Sequence, residues 1–246
     1  MPGLRVVLPA GIPGPWGEAV KGILYVKKIP FVRVLHDRSD YAPLIRWTAQ
    51  SSTPAMVYND ERPRSVWNDQ LFLAERLQPE PALVPSRIED RILMFGLSNE
   101  LCGERGFGWS RRLMLVHASV TDSKVPEEMR KGMLAFGAKY GYSPAAAASA
   151  PAKAAQILQA LAAQLQAQHS RGCRFLIGDK LSALDIYWAV FAALIEPLPD
   201  NLCPMPPEIH RHYKCEDSIV RSATTPQLLA HRDFIYHEYL ELPVDL

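Results

Sequence analysis

Short apolar runs rich in β-branched residues are concentrated near the start of this chain, and they limit the folds open to it. Residues 4–8 (LRVVL) and 31–35 (FVRVL) are two such runs, and apolar residues at helical spacing lie between them from about Pro15 to Lys28. Continuous apolar runs of this length are typical of strands buried on both faces. A strand, a helix and a second strand in this order form a βαβ unit with parallel strands. We therefore expect an α/β fold for the first part of the chain.

The dipeptide Thr53-Pro54 lies directly before the next strand signals. Ala55 to Tyr58 and Arg64 to Trp67 are predicted strands on either side of the Asn59-Asp60 turn, and the pair indicates a hairpin. A cis bond before Pro54 costs only about 0.5–1 kcal/mol and would turn backbone polar groups outward, where they can pair with a peptide-like ligand. The alternative is an ordinary trans proline in a loop.

Helical periodicity dominates after the proline-rich residues 79–85. A helix is predicted before them at residues 69–77, and further helices are predicted after them at residues 87–120, 126–140, 152–169 and 184–195. We interpret the alanine-rich residues 145–155 as solvated helix. Residues 197–207 are interpreted as an ordered surface connection. We therefore divide the chain into an α/β domain at residues 1–78, a linker at residues 79–86 and an all-helical domain at residues 87–246. The predicted fold class is α/β plus all-α.

A capping box is predicted at the start of the last of these helices. Ser182 occupies the N-cap position and Asp185 the third helical position, while Leu181 and Ile186 have the spacing of a hydrophobic staple. This motif stabilises a helix rather than performing chemistry. We expect its loss to cost about 1 kcal/mol or more.

The composition argues against several classes of partner. The chain has 27 Lys and Arg residues against 26 Asp and Glu residues, so no broad field attracts nucleic acid or anionic lipid. The four cysteines lack the density of a disulfide-stapled secreted domain, and no stretch has the roughly 18 uncharged apolar residues needed to span a bilayer. These patterns indicate a cytoplasmic protein with a small or neutral partner, without nucleic acid and without a membrane.

The order of these elements resembles the cytosolic glutathione S-transferase superfamily. Lys28-Ile29-Pro30-Phe31 at the close of the first helix, Thr53-Pro54 before a strand, and Asp69-Gln70 at the start of a helix that ends at Leu77 carry the resemblance. It implies a thioredoxin-like first domain followed by a helical domain. It also implies glutathione as cofactor, a small hydrophobic electrophile as the second substrate, and a homodimer in which the first domain of one subunit meets the helical domain of the other.

The resemblance places glutathione along Thr53, whose backbone would hold the cysteinyl part of the tripeptide beside Pro54. Asp69 and Gln70 would receive the γ-glutamyl end, because a helix N-terminus presents free N–H groups and partial positive charge to a carboxylate. The alternative interpretation is that Asp69 only caps its own helix.

The catalytic position departs from the family pattern. Gly14-Pro15-Trp16 lies where many members have Ser-Pro or Cys-Pro, and residues 9–20 contain no Ser, Thr, Tyr or Cys. The chain therefore resembles a divergent member that lacks the usual catalytic side chain. Backbone N–H groups at the start of the first helix, near Gly14, or the indole N–H of Trp16 would then stabilise a thiolate.

Further candidate residues lie in the segment 100–112 (ELCGERGFGWSRR), which mixes charges, aromatics and glycines. Such a charge cluster on a helix is more often a solvated ion-pair network, and the alternative is an electrophile pocket with Arg111 as its catalytic candidate. The other residues considered are Glu18, Glu100, Trp109 and Arg112. No metal site is expected, because His210 and His212 lack further ligands at suitable spacing, and Cys102 and Cys173 are interpreted as inert thiols.

Three functions agree with these patterns. The leading hypothesis is an enzyme that uses glutathione as co-substrate or cofactor on a hydrophobic electrophile, in conjugation, isomerisation or thioether cleavage. The second is a non-catalytic protein of the same fold that binds a ligand or another protein, which the missing hydroxyl or thiol permits. The third is a glutathione-independent enzyme that uses residues near 100–112.

Overall fold

The computed structural model describes residues 2–37 and 40–246, and the first part of the chain forms a small sheet with helices. Its elements are β1 (Leu4–Pro9), α1 (Pro15–Val26), β2 (Phe31–His36), α2 (Ala42–Thr48), β3 (Ala55–Tyr58) and α3 (Trp67–Leu77). The strand order in the sheet is β2-β1-β3. Strand β1 runs parallel to β2, with Leu4 opposite Phe31, and antiparallel to β3, with Val7 opposite Ala55. The predicted βαβ unit is thus confirmed.

The predicted second hairpin strand is wrong. Arg64 forms only an isolated bridge with Met56, and Trp67 is already the first residue of helix α3. Pro63 has no N–H to donate to a ladder, and the chain enters the helix at Val66, so the segment is too short to extend the sheet.

The rest of the chain is helical in the described ranges. Its helices are α4 (Ile88–Cys102), α5 (Phe107–Thr121), α6 (Glu127–Ala138), α7 (Pro144–His169), α8 (Ala183–Phe191), α9 (Pro207–Tyr213), α10 (Ser218–Ala223) and α11 (Pro226–Tyr239), with a short 3-10 turn at Ala192–Leu194. No helix in these ranges has both the length and the apolar character that a membrane crossing requires.

The long helix predicted over residues 87–120 is divided in two. Gly103 ends α4 and Gly106 precedes α5. A Cβ atom would lie 2.7 Å from the carbonyl oxygen of Asn99 at Gly103, and 3.0 Å from the same oxygen at Gly106. The tight connection between the two helices therefore depends on both glycines.

One other helix prediction needs correction. Helix α7 begins at Pro144, directly before the alanine-rich residues that were interpreted as helix, and there the hydroxyl of Ser143 accepts a hydrogen bond from the N–H of Ala146 at 3.1 Å. Its alanine-rich start was expected to be solvated, but Ala147, Ala150 and Ala154 are buried, because the small side chains allow close packing. In addition, the sequence analysis included the residues after Ile195 in the all-helical domain without assigning individual helices to them, and the structure has α9, α10 and α11 there.

The capping box at the start of α8 is confirmed and holds a buried carboxylate. Asp185 accepts hydrogen bonds from the N–H of Ser182 at 2.9 Å, from the Ser182 hydroxyl at 2.7 Å and from the N–H of Leu176 at 2.8 Å. The Nε2 atom of His231, on α11, lies 2.9 Å from the same carboxylate. One carboxylate thus joins α8, α11 and the preceding turn.

One hydrophobic core extends through both parts of the chain. Helix α1 packs on α8 at Gly22, where an added Cβ would lie 3.1 Å from the side chain of Ile186. Between α3 and α4, Leu83 is fully buried, and its carbonyl accepts a hydrogen bond from the N–H of Ala183 at 2.9 Å. The predicted linker is therefore anchored to the start of α8.

Candidate functional site

The start of helix α1 presents free backbone donors after strand β1. Gly14 is the N-cap, with φ −66° and ψ 128°, and its carbonyl accepts from the N–H of Glu18 at 2.9 Å. Pro15 has no N–H, and the N–H groups of Trp16 and Gly17 have no backbone partner in the described chain. With the helix dipole, these two N–H groups form a place where an anion is stabilised.

The indole of Trp16 is engaged elsewhere. Its Nε1 donates to the carbonyl of Cys102 at 2.9 Å, and its ring meets Phe191 edge-on with 5.0 Å between centroids. Of the two kinds of thiolate donor expected from the sequence, only the backbone N–H groups are therefore free.

The peptide bond between Thr53 and Pro54 is cis. Pro54 is buried, whereas Thr53 is half-buried, and neither its N–H nor its carbonyl bonds to any other described part of the backbone. Because Ala55 pairs with Val7, Thr53 lies at the end of the sheet where β1 leads into α1. An extended peptide running past Thr53 would therefore find an open donor and an open acceptor.

Helix α3 begins at Trp67, two residues before Asp69, so the alternative interpretation that Asp69 is its N-cap is wrong. Val66 is the N-cap and makes no side-chain cap bond. The N–H of Asp69 bonds to the side chain of Asn68 at 2.8 Å, and the N–H of Gln70 bonds to the carbonyl of Val66 at 3.1 Å. The N–H groups of Trp67 and Asn68 are those left without a backbone partner in the described chain.

The side chains of Asp69 and Gln70 have different surroundings. The carboxylate of Asp69 is 3.6 Å from the guanidinium of Arg62 at the surface. The amide of Gln70 is buried and donates to the carbonyls of Pro54 and Arg64, at 3.0 and 3.1 Å. Gln70 thus supports the Thr53-Pro54 loop from behind, and its side chain is not free to meet a ligand.

Arg111 and Arg112 are neighbours on α5 with different partners. Arg111 is buried and donates from Nε to the carbonyl of Leu194 at 2.8 Å, which joins α5 to the 3-10 turn that follows α8. The guanidinium of Arg112 instead lies among aromatic rings beside Trp16. The sequence favoured Arg111, but the structure brings Arg112 to the start of α1.

Three aromatic residues that the sequence analysis did not single out surround Arg112. Phe136 and Tyr140 come from the end of α6 and the turn after it, and Tyr213 comes from the end of α9. The spacing of four residues between Phe136 and Tyr140, which places both on one helical face, was the available signal. Burial raises the pKa of the Tyr140 phenol, while the charge of Arg112 works in the opposite direction.

The candidates Glu18, Glu100 and Cys102 do not join the residues around Arg112. Glu18 pairs with Lys21 at 2.9 Å, and burial raises the pKa of its carboxyl. Glu100 is exposed, and no ion pair forms within residues 100–112, so the predicted ion-pair network is wrong there. Burial raises the pKa of the Cys102 thiol well above its usual range. Among the described residues, no group of three or more His, Cys, Asp or Glu side chains is placed to hold a metal ion.

Neither a protein-family model nor a curated protein matches the sequence, but many solved structures resemble the fold. A glutathione S-transferase from Methylobacterium radiotolerans JCM 2831, in complex with glutathione sulfonate, is 16% identical with a TM-score of 0.61 over 96% of this chain and 91% of its own. The beta-etherase LigF from Sphingobium sp. strain SYK-6 is 17% identical with a TM-score of 0.64, covering 95% and 94%.

A third similar structure is a glutathione S-transferase from Methylobacillus flagellatus KT with glutathione bound. It is 13% identical with a TM-score of 0.56, covering 89% of this chain and 98% of its own. Identities this low establish the fold rather than the activity. The chain has the glutathione S-transferase fold, with a thioredoxin-like first domain and a helical second domain.

Proposed function

We propose that this protein is a glutathione-dependent enzyme that acts on a small hydrophobic electrophile. The observation that carries the proposal is that backbone groups without a backbone partner lie at one end of the sheet. The backbone of Thr53 and the N–H groups that begin α1 adjoin because β3 pairs with β1, and the start of α3 is joined to them through Gln70 and Pro54.

The tripeptide would lie across these groups in an extended form. Its cysteinyl backbone would pair with Thr53, and its γ-glutamyl carboxylate would meet the N–H groups of Trp67 and Asn68 at the start of α3. This shifts the sequence-based placement at Asp69 and Gln70 back by two residues. Two of the similar structures hold glutathione or glutathione sulfonate, which supports the choice of ligand.

The sulfur would lie at the start of α1. Without a Ser, Cys or Tyr side chain there, the N–H groups of Trp16 and Gly17 and the helix dipole would stabilise the thiolate. A lower thiol pKa raises the thiolate fraction near neutral pH, and the thiolate is the nucleophile. A small aromatic electrophile would approach from the side of α5 and α6, where Trp109 and Tyr140 lie edge-on with 5.2 Å between ring centroids.

Calorimetric titration of glutathione tests the placement. Replacing Thr53 by proline removes its backbone N–H, whereas replacing it by alanine keeps the backbone and removes only the side chain. We expect Thr53→Pro to weaken glutathione binding by about tenfold or more, the usual effect of losing a buried hydrogen bond, and Thr53→Ala to bind like the wild type. Equal affinity in the proline and alanine variants, both folded by circular dichroism, would contradict the placement.

A second candidate function is favoured by the glycine at position 14. A protein of this fold without a catalytic hydroxyl or thiol can bind glutathione or another ligand without turnover. Conjugation of glutathione to chlorodinitrobenzene separates the two functions, because only an enzyme accelerates it over the rate in buffer. Binding without any acceleration, with this and other electrophiles, would favour the second function.

We also propose a homodimer formed through α3 and α4. Their exposed face carries large apolar side chains, with Phe72 51% and Ile92 65% exposed and Phe72 stacked on Phe95 at 5.4 Å between centroids. Apolar exposure of this kind is typical of subunit interfaces. Light scattering after gel filtration tests it, and Ile92→Glu should convert a dimer into a monomer.

We further place the protein in the cytoplasm, because its four cysteines are free.

A further inference from the structure

Arg112 lies in a cage of aromatic rings. Its guanidinium carbon is 5.9 Å from the ring centroids of Trp16 and Phe136 and 5.5 Å from that of Tyr213. These rings come from three separate parts of the chain, namely α1, α6 and α9. Cation–π contacts of this kind hold a guanidinium in one orientation, but they do not neutralise its charge.

No carboxylate compensates this charge. Within the described chain Arg112 forms no ion pair, and its Nε atom is closed to solvent without a hydrogen-bond partner. A second cation lies nearby, with the Nζ atom of Lys139 5.5 Å from the ring centroid of Tyr140. Burial and the charge of Arg112 lower the pKa of Lys139. The polar groups around the guanidinium of Arg112 are the phenol groups of Tyr140 and Tyr213, which are uncharged near neutral pH. A half-buried cation without an anionic partner is costly, so an anion is favoured at this place.

The cage lies directly against the start of α1. Trp16, which forms one of its walls, also provides one of the two free N–H groups of that helix. Gly108 on α5 is what allows the contact, because a Cβ there would lie 2.8 Å from the indole of Trp16. A planar ligand held among these rings would therefore lie beside the position proposed for the glutathione sulfur.

We infer that Arg112 binds the carboxylate of an aromatic second substrate, so that the protein prefers aromatic carboxylates over neutral aromatics. The planar fork of a guanidinium pairs with both oxygens of a carboxylate, and the surrounding rings stack on an aromatic ring. Identifying this ligand as a substrate rests on the proposed function, whereas the binding preference does not.

Binding of two unreactive probes in the absence of glutathione tests the inference. 1-Naphthoate carries a carboxylate and 1-naphthamide is its neutral counterpart, and both can be titrated by quenching of tryptophan fluorescence. We expect the wild type to bind naphthoate at least about tenfold more tightly, the usual effect of a charge-assisted hydrogen bond. Arg112→Gln should lose this preference, Arg112→Lys should keep part of it, and Arg171→Gln, a change of the same charge at an exposed site, should behave like the wild type.

Equal affinity of the wild type for the two probes would overturn the inference, whether or not any variant folds. A folded Arg112→Gln variant that still prefers naphthoate would overturn it as well. Glutathione binding is measured separately on the same preparations. If naphthoate binding depends on Arg112 while glutathione does not bind, the proposed function fails and the carboxylate site stands.

Discussion

The side-chain amide of Gln70 donates a hydrogen bond to the carbonyl of Pro54 at 3.0 Å. Through this contact the first turn of α3 fixes the loop that carries Thr53. The same nitrogen donates a second hydrogen bond, at 3.1 Å, to the carbonyl of Arg64, the residue that forms an isolated bridge with Met56 of β3. Gln70, which the sequence analysis expected to meet the ligand, is thus placed to hold the Thr53 backbone that we propose binds glutathione.

Replacing Gln70 by leucine should therefore destabilise the protein and weaken glutathione binding together. The change leaves the buried carbonyl of Pro54 unpaired, while the carbonyl of Arg64 keeps its hydrogen bond from the N–H of Met56. We expect the free energy of unfolding to fall by about 1–3 kcal/mol. Urea denaturation and calorimetric titration measure the two effects. Gln78→Leu, an exposed glutamine that follows the same helix, is the control and should change stability by less than about 0.5 kcal/mol. Unchanged stability in Gln70→Leu would show that the two hydrogen bonds are unimportant.

Gly14→Ser should raise the rate of glutathione conjugation. The backbone angles at Gly14 suit any residue, and nothing lies within 4 Å of an added Cβ atom. The new hydroxyl can donate to the thiolate, and we expect a rate increase of about tenfold or more. Gly14→Ala adds the same Cβ without the hydroxyl and should not accelerate the reaction. An equal change in both variants would show that the sulfur does not lie at this position.

Lys27 is a fully buried lysine that should contribute strongly to stability. Its Nζ atom is 2.7 Å from the carbonyl of Gln78 and from the carboxylate of Glu75, and 2.8 Å from the carbonyl of Pro81. Removing the charge in Lys27→Met leaves a largely buried carboxylate unpaired, and we expect a loss of about 3 kcal/mol or more in urea denaturation.

Two further variants test this explanation. Adding Glu75→Gln to Lys27→Met should recover part of the loss, because the unpaired charge is then removed. Lys28→Met, at the exposed neighbouring position, should be nearly neutral. If Lys27→Met were as stable as Lys28→Met, Lys27 would have no anchoring role.

Asp185→Ala should be among the most destabilising single changes in the helical domain. The substitution leaves three fully buried donors of Ser182 and Leu176 without an acceptor, together with the ring of His231. We expect a loss of more than about 3 kcal/mol in urea denaturation. Asp179→Ala, at an exposed position nearby in the chain, is the matched control. A small and equal effect of both changes would contradict the assigned role of the Asp185 carboxylate.

Thiol labelling should distinguish Cys173 from the other cysteines. Burial raises the pKa of the Cys102 thiol well above its usual range and that of Cys203 to about 11, and Cys215 is also buried. A raised pKa lowers the thiolate fraction at any given pH, and the thiolate is the reactive form. At about pH 8, near the usual thiol pKa, iodoacetamide should modify only the half-buried Cys173 in the folded protein and all four cysteines after unfolding. Mass spectrometry of the peptides would show any rapid reaction at Cys102, which would contradict this assignment.

Local patterns predicted the elements that depend on neighbouring residues alone. The strands at β1 and β2, the helix that begins at Pro15 and the capping box of Ser182 and Asp185 were predicted and are present. The predictions failed where packing overrode the pattern. The helical periodicity through Gly103 and Gly106 continued in the sequence, yet the chain turns there, because both glycines lie too close to the end of α4 for a side chain.

For the candidate site, too, some features could be predicted from the sequence and others depend on the tertiary structure. The sequence alone determined that no Ser, Thr, Tyr or Cys lies at residues 9–20, since that is a matter of composition. It also indicated that the bond between Thr53 and Pro54 could be cis, which the structure has. Only the tertiary structure decided that Gln70 supports the loop, that Arg111 is buried against Leu194 and that Arg112 faces the rings of Trp16, Phe136 and Tyr213. The directions of adjacent side chains on a helix differ by about 100°, so the rotation of α5 against α1, α6 and α9 selects which arginine reaches the site.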